Sequence, residues 1–600
     1  MVNLEANETQ SAGLPTPWSR HAERALRHLQ EHLLPASLCM AALLALGLTP
    51  YFACWYSGYG FACPVQPDVN YYLQLAAQPY YSHALYLSDP MIAGGPTFYP
   101  WLQYIPFVCL TRWLGLSVFW IQVLWTIAAA LGTGVTLYLF LWFVFRNRWL
   151  AAAITICVWA DIDLGVSFFA HRFLFVHQTY LVASDLIAHL RGQPMLKRPL
   201  FPFQWRLTNA ALDLPFVFLQ LLVTSIARER PSQRNLALSG LAFALTFYVY
   251  FYLWTILAAG LCLAAIVDRV GRRTYAFTLG LGVALGWPQI AHDYLVKSVL
   301  SAEGVNHFWF LAALRPTDSF SNSSPYLNPY LVLAEAVILG AYAIRRKHPA
   351  LLLLWCMTAA GVCLSIADFT MGINLHNYHW SWLAAPLMHI MIVAIAVDLV
   401  VLWKPQLHIP GWVIVLLVSG FLASGIYLTG SISLAGSIRE GDRKTIYREY
   451  TSQRLAPGVS PLRPDSVIAG DVYFVDLASP AEQQRPLAGG FFGVNMVLDK
   501  EQRRIRFVLD QYLSGIDRTK FAVLLNDYGP SISWEQVPIY LRTFDEVSRD
   551  SDKFIDDLKV RYLVLPADQR APAFLNRRWD LIQPGPYWQI WERTEGSSKK

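Results

Sequence analysis

Apolar stretches of about 20 residues, the length a helix needs to cross a bilayer, recur along the first 430 residues of this chain. They lie near 35–54, 117–145, 149–166, 210–227, 235–250, 251–268, 274–292, 328–344, 349–366, 380–402 and 411–430, eleven in all. The pair at 235–268 is tight, and reads either as two crossings or as one crossing and a half-helix. Short basic clusters punctuate alternate connections. Arg20, Arg24 and Arg27 precede the first segment, Arg146 and Arg148 follow the second, and Arg228, Arg230 and Arg234 follow the fourth. DRVGRR, RRKH and Lys404 follow the sixth, eighth and tenth. With eleven crossings all of these clusters share the side of the N-terminus, which the positive-inside rule makes cytoplasmic. The expected organisation is a cytoplasmic segment over 1–34, a transmembrane domain over 35–430 and an extracytoplasmic remainder over 431–600.

Residues 98–116, FYPWLQYIPFVCLTRWLGL, are apolar enough to compete as a span. Counting them as one would invert every later loop, so they read as an interfacial helix at the outer leaflet. The first apolar run lacks a small-residue cleavage site and reads as an uncleaved span. Only 15% of residues are charged, against about 25% in soluble domains, and the cations form no stripe, which excludes nucleic-acid binding. The eight cysteines show no CxxC and no metal spacing. Cys54 and Cys63 flank a Gly- and aromatic-rich stretch, as two thiols or as a disulfide. After residue 430 charges become common and strand-length apolar runs (SVIAGDVYFV, KFAVLLND, VRYLVLP) alternate with polar helical stretches. That alternation predicts a small α/β domain.

Chemistry belongs in the long outer loops at 55–116 and 167–209. Asp68 opens DVNYYLQLAAQPYY, which has a helical period, and an acid at such a start serves as an N-cap, as a catalytic group, or as both. Asp89, in SDPMIAGGP, reads as a turn residue. Asp161 and Asp163 end the third apolar segment, where an acid near the membrane is a functional candidate, and an Asp-x-Asp pair is compatible with a shared divalent metal. His171 and Arg172 follow closely, and Arg206 precedes the next segment; outer-face cations of this kind bind a phosphate or lipid headgroups. His376 and His379 are spaced to share a helical face and fit hydrogen bonding to a sugar or phosphate better than zinc, which wants more ligands. P-loop, dinucleotide, nucleophile-elbow and kinase motifs are all missing from the sequence. A substrate must therefore reach the outer face, and a lipid-linked one is the natural choice.

The layout resembles the GT-C superfamily of integral membrane glycosyltransferases, which includes oligosaccharyltransferase catalytic subunits, protein O-mannosyltransferases and lipid A aminoarabinose transferases. The resemblance rests on the acid in PDVNYYLQLA, the Pro-aromatic element FYPWLQYIPF, the basic span end FVFRNR and a domain after the last span. It covers 1–430 in layout, with its motifs confined to about 65–148. It implies a polytopic α-helical fold and a polyprenyl-phosphate-linked sugar as donor. A glycan, lipid or protein serves as acceptor, transfer proceeds with inversion, and the setting is a bacterial inner (plasma) membrane. Asp68 would then be the acceptor's base, Asp161 and Asp163 its partners, and Arg172 or Arg206 the neutraliser of the leaving phosphate. A Trp-Trp-Asp motif like that of oligosaccharyltransferases is missing, which argues against peptide acceptors. Two other classes compete: a flippase for a lipid-linked glycan, and a scaffold whose outer domain binds a partner.

Overall fold

The computed structural model describes residues 17–62, 67–92, 99–160, 212–299, 329–346, 348–365, 378–403, 411–437, 462–481, 483–488, 500–527, 536–569, 578–584 and 588–594, with short pieces between them. Helices lie on the apolar segments: α1 (Pro17–Tyr56), α4 (Trp120–Phe145), α5 (Arg148–Ala160), α6 (Leu214–Glu229), α7 (Gln233–Phe247), α8 (Phe251–Val267), α9 (Arg272–Val299), α10 (Pro329–Arg346), α11 (Pro349–Ser365), α12 (Tyr378–Trp403) and α13 (Gly411–Ser437). Among the described residues, three helices can cross a membrane on length and composition: Gln30–Tyr56, Trp120–Phe145 and Gly411–Gly430. Arg148–Ala160, Phe251–Val267 and Pro349–Leu364 are apolar but shorter. These apolar helices make the chain an integral membrane protein.

Contacts fix which ends lie together. Helices α1 and α4 are antiparallel: His32 Nδ1 meets Tyr138 OH at 2.6 Å near one end, and Tyr51 OH meets Thr126 Oγ1 at 2.9 Å near the other. Their close approach needs Gly134, where a Cβ would sit 3.2 Å from Met40 Cα. The end where α1 begins also gathers the basic clusters. Arg148 lies 3.7 Å from Glu31, Arg146 3.8 Å from Glu229, and Arg228 grips Asp268 through two bonds of 2.8 and 3.2 Å. At the opposite end Gln122 donates to the Ala62 carbonyl, Leu102 N–H to the Tyr248 carbonyl and Trp380 Nε1 to Thr255 Oγ1. We call these the basic end and the loop end. Between them a buried polar relay joins α6, α7 and α9: Gln220 donates to Thr224, which bonds Ser239, which bonds Thr278, each at 2.8 Å. Hydroxyls in such a setting hold helices together where the surrounding lipid cannot.

The apolar run at 235–268 forms two helices, α7 and α8, broken at Tyr248–Tyr250. The carbonyl freed at the break, that of Tyr248, accepts the Leu102 N–H from the first loop. That loop holds α2 (Pro67–Ser82), a 3-10 turn (Trp101–Gln103) and α3 (Ile105–Trp113). With 9 residues, α3 is about 14 Å long against a hydrocarbon core of about 30 Å, so it does not cross. The helices flanking this segment, α1 and α4, meet at the same end of the bundle.

The C-terminal part is α/β: β1 (Val467–Gly470), α14 (Val472–Ala481), β2 (Arg485–Pro486), α15 (Lys500–Leu513), α16 (Arg518–Asp527), α17 (Val537–Arg549), α18 (Ser551–Asp557), β3 (Val560–Pro566), β4 (Trp579–Pro584) and β5 (Trp588–Arg593). The sheet order is β2-β1-β3-β5-β4; β1 is parallel to β2 and β3, and β5 is antiparallel to β3 and β4. Two sequence expectations are corrected. KFAVLLND is helix, not strand, because Phe521, Leu524 and Leu525 recur at helical spacing, Phe521 and Leu525 are buried, and Asp517 Oδ1 accepts from Lys520 N. VYFV is also helical, started by Asp471 Oδ1, which accepts from Phe474 N at 3.1 Å. Strand alternation splits the sheet between two cores. Ala469, Leu563 and Leu565 pack with Phe507, Phe521 and Phe544 of the domain's own helices. Ile468, Tyr562, Val564 and Ile590 face the other way and join the apolar core of the bundle.

One buried acid makes the domain pH-sensitive. Asp510 of α15 accepts from Gly470 N at 3.1 Å. Burial pushes its carboxyl up to about 7, Asp476 and Asp471 add to the rise, and the Gly470 N–H opposes it. The folded value lies above the ordinary value near 4, so its contribution to stability is complete below about pH 4 and is lost as pH rises through about 7. Thermal unfolding of the full chain between pH 5 and pH 8 reads this. Asp510→Asn is expected to remove a loss on the order of a few kcal/mol across that range; an unchanged pH slope would show that Asp510 does not set it.

Candidate functional site at the loop end

Helix α2 carries the first candidate acid. Pro67 takes the first helical position, where its missing N–H costs nothing. Asp68 is therefore inside the first turn, two places beyond the cap rather than at the cap as expected from the sequence, where the helix dipole still favours a carboxylate. The helix is also not amphipathic as its period suggested. Val69, Asn70, Tyr71, Leu73, Gln74, Leu75, Ala76, Ala77 and Tyr80 are all buried, which covers every face. The reason is its position. On one side it meets α3 and α4, with Tyr80 OH donating to the Leu116 carbonyl. On the other it meets α14 of the C-terminal domain, with Tyr81 OH donating to the Ala481 carbonyl.

Helical spacing puts position 68 on the face that carries Tyr71 and Tyr72. That face looks onto a cluster of rings packed edge to face. Tyr71 and Tyr72 lie 5.7 and 5.9 Å from Tyr99, Tyr99 lies 6.2 Å from Tyr104, and Tyr104 lies 5.6 Å from Trp125. Trp125 Nε1 donates to the Gln103 carbonyl at 2.6 Å, which pins the 3-10 turn to α4. Burial drives the Tyr71 phenol well above its ordinary range, helped by Asp89, and burial does the same to Tyr104. Both rings therefore serve as neutral hydroxyls and not as bases. Asp89 is a loop-builder: its Oδ1 accepts from Met91 N at 2.8 Å and Ile92 N at 3.0 Å.

A third acid at this end was not singled out from the sequence. Asp213, just before α6, is fully buried, and among the described residues neither carboxylate oxygen lies within a hydrogen bond of a partner by geometry. It occupies the cap position of α6 without using its side chain as a cap. The Gln103 side chain faces it instead. The signal was available: an acid inside a segment read as a span is a functional candidate by default, and Asp213 lies within 210–227.

The other candidates divide by what the structure describes. Asp161, Asp163, His171, Arg172, Arg206 and His376 lie outside the described residues. Ala160, immediately before Asp161, is described; a Cβ on Gly425 of α13 would meet its carbonyl, in the same half of the bundle as Leu46 of α1. The backbone of His379 stands in the first turn of α12, beside Trp380, which bonds Thr255 at the loop end. Cys54 is buried, and Cys63 lies outside the described residues. Among the described residues no three His, Cys, Asp or Glu gather as metal ligands. An open hollow of ≈ 360 Å³ lined by Gln30, Glu31, Leu34, Pro35, Arg148 and Trp149 is at the basic end, away from these groups.

No protein-family model matches the chain, and no curated protein matches it. Among solved structures it is similar to the archaeal oligosaccharyltransferase AglB from Archaeoglobus fulgidus, in complex with an inhibitory peptide and a dolichol-phosphate. Identity is 11%, the TM-score is 0.45, and the match covers 90% of this chain and 70% of that one. At that identity and TM-score the likeness carries no inference about activity.

Asp213 gives a test that needs no assay of activity. A buried carboxyl whose oxygens lack a hydrogen-bond partner costs about 1–3 kcal/mol of stability. Asp213→Asn also offers amide donors to Gln103. The melting temperature of the purified variant in detergent is expected to equal or exceed that of the parent; a clear fall would show that the carboxylate is satisfied where it stands.

Proposed function

We propose that the chain is an integral membrane glycosyltransferase of the GT-C type. It transfers a sugar from a polyprenyl-phosphate-linked donor to an acceptor at the loop end of the bundle. One observation carries this reading: the helix that carries Asp68 in its first turn is enclosed between the membrane bundle and the C-terminal domain. A scaffold has no use for an acid-headed helix buried at such a seam. A transporter would place its charges near the midplane, between related halves. The segregation of Arg146, Arg148 and Arg228 at the opposite end supports a cytoplasmic basic end and an extracytoplasmic site, with eleven crossings between them.

In this reading an acceptor hydroxyl attacks the anomeric carbon as the bond from that carbon to the phosphate oxygen breaks. The proton passes to the Asp68 carboxylate, and polyprenyl phosphate departs with the bonding electrons. A single displacement inverts the anomeric centre. The leaving group is already a stable anion, so it needs cations more than an acid. Arg172 and Arg206 fit that need, with His171, His376 and His379 as hydrogen-bonding groups and Asp161 and Asp163 as the second acidic pair.

The test is Asp68→Asn in membranes supplied with a lipid-linked sugar. General-base catalysis contributes about 10²–10⁴-fold, so turnover is expected to fall by about a hundredfold or more at an unchanged protein level. Full turnover by the variant would remove Asp68 from the chemistry. Movement of the lipid-linked sugar across vesicles without sugar transfer would make the chain a flippase instead.

A further inference from the structure

Arg146 and Arg148 stand two residues apart at the basic end, yet they are used differently. Arg146 takes a left-handed conformation (φ 55°) at the end of α4, which turns the chain toward α5. Its guanidinium lies 4.6 Å from the Phe143 ring and 3.8 Å from Glu229. Asn147 Oδ1 then accepts from Trp149 N and Leu150 N, both at 3.1 Å, and so fixes the start of α5. That start brings Arg148 and Trp149 beside α1. There Arg148 Nη1 lies 3.7 Å from the Glu31 carboxylate and donates to the Glu31 carbonyl at 3.4 Å. Both contacts are long, and both run through one nitrogen of the fork. Around this pair is the open hollow of ≈ 360 Å³, with Gln30, Leu34, Pro35 and Trp149 as its other lining.

Depth, floor and open side together say what fills the hollow. Gln30 begins one candidate span and Phe145 ends another, so the lining stands at the edge of the hydrocarbon, at headgroup level. Trp149 suits that level, where interfacial tryptophans gather. Deeper in, α1 and α5 close on each other, with the buried Cys39 thiol donating to the Ala152 carbonyl at 3.7 Å. The open side runs on as an apolar track: Leu34, Leu38, Ala41 and Ala45 recur at helical spacing on one face of α1, and all are exposed. A solute arriving from water has no use for that track, whereas a lipid chain does. Charge then selects the headgroup. A headgroup bearing only a phosphate would meet Arg148 but be repelled by Glu31. One with an ammonium beside its phosphate satisfies both, since Glu31 accepts from the ammonium and the Arg148 fork donates to the phosphate. We propose that the hollow between α1 and α5 holds the headgroup of a zwitterionic phospholipid of the leaflet at the basic end, with its chain along Leu34 and Leu38. This site is independent of the glycosyltransferase reading.

Lipid titrations of the full chain in detergent test it, with the melting temperature as the readout. The probes are short-chain phosphatidylethanolamine, short-chain phosphatidylglycerol and soluble phosphoethanolamine. The ethanolamine lipid is expected to stabilise the parent at lower concentration than the glycerol lipid does. Soluble phosphoethanolamine, which has no chain, is expected to act only at far higher concentration. Arg148 and Glu31 are 42% and 61% exposed, so replacing either opens no core. Glu31→Gln and Arg148→Gln should each weaken the response to the ethanolamine lipid by about threefold or more, the scale of one exposed ion pair. The two substitutions move the net charge in opposite directions and this lipid is neutral, so general charge attraction cannot produce both losses. With the glycerol lipid, Arg148→Gln should weaken the response and Glu31→Gln should strengthen it. Equal responses of parent and both variants to the ethanolamine lipid would overturn the proposal. Loss in Arg148→Gln alone would overturn it too, by making the hollow a plain anion site. So would a response to soluble phosphoethanolamine equal to that of the lipid, which would leave the track without a role.

Discussion

The loop end depends on the burial of α2. A helix of 16 residues with every face covered needs two partners, and here they come from different parts of the chain. The bundle supplies one wall through α3 and α4, and the C-terminal domain supplies the other through α14. The sheet strengthens that arrangement, since Ile468, Tyr562, Val564 and Ile590 belong to the same apolar core as the bundle helices. A domain joined in this way is not a tethered accessory. Its position is set by the same burial that sets α2, so changes in the C-terminal domain reach the neighbourhood of Asp68 through packing.

The basic end is built on the opposite principle. Asp268 accepts from Arg228 through both of its oxygens, and also from the amides of Val270 and Gly271 and from Tyr275 OH. That acid is fully satisfied, and it ties the end of α6 to the turn between α8 and α9. At the loop end the Asp213 carboxyl, the Tyr104 hydroxyl and the Gln122 side-chain oxygen are buried without a hydrogen bond among the described residues. Fully satisfied buried networks rigidify a fold, whereas unsatisfied ones cost stability and persist where something else holds them. The polar economy of the two ends therefore differs in kind.

Much of this was legible in the sequence because charge and hydropathy act over whole segments. The basic clusters at Arg146, Arg148 and Arg228 could be counted, and they gather at one end. Residues 98–116 could be read as non-crossing from that count, and α3, within them, is too short to cross. Shorter patterns were less reliable. A run such as FAVLL fits strand or helix equally, and only the Asp517 cap and the burial of Phe521 with Leu525 decide for helix. The face of α2 misled for another reason. A period of 3.6 implies one wet side, but a second wall from residues 472–481, about 400 positions away in sequence, removed it. Nothing local to α2 records that wall. Asp213 was visible as an acid in an apolar run, but its lack of partners is a tertiary fact.

Acids at the loop end are held in three different ways. Asp68 heads a helix with no wet face, Asp89 is spent on the amides of its own loop, and Asp213 faces only an amide side chain. A carboxylate placed against a positive partner is a poor base, because the partner holds its charge and lowers its affinity for a proton. A carboxylate kept from cations retains that affinity, at a cost in stability. Asp213 is the described acid of the loop end to which this applies: it faces the Gln103 amide, while at the basic end Asp268 is held by the Arg228 guanidinium.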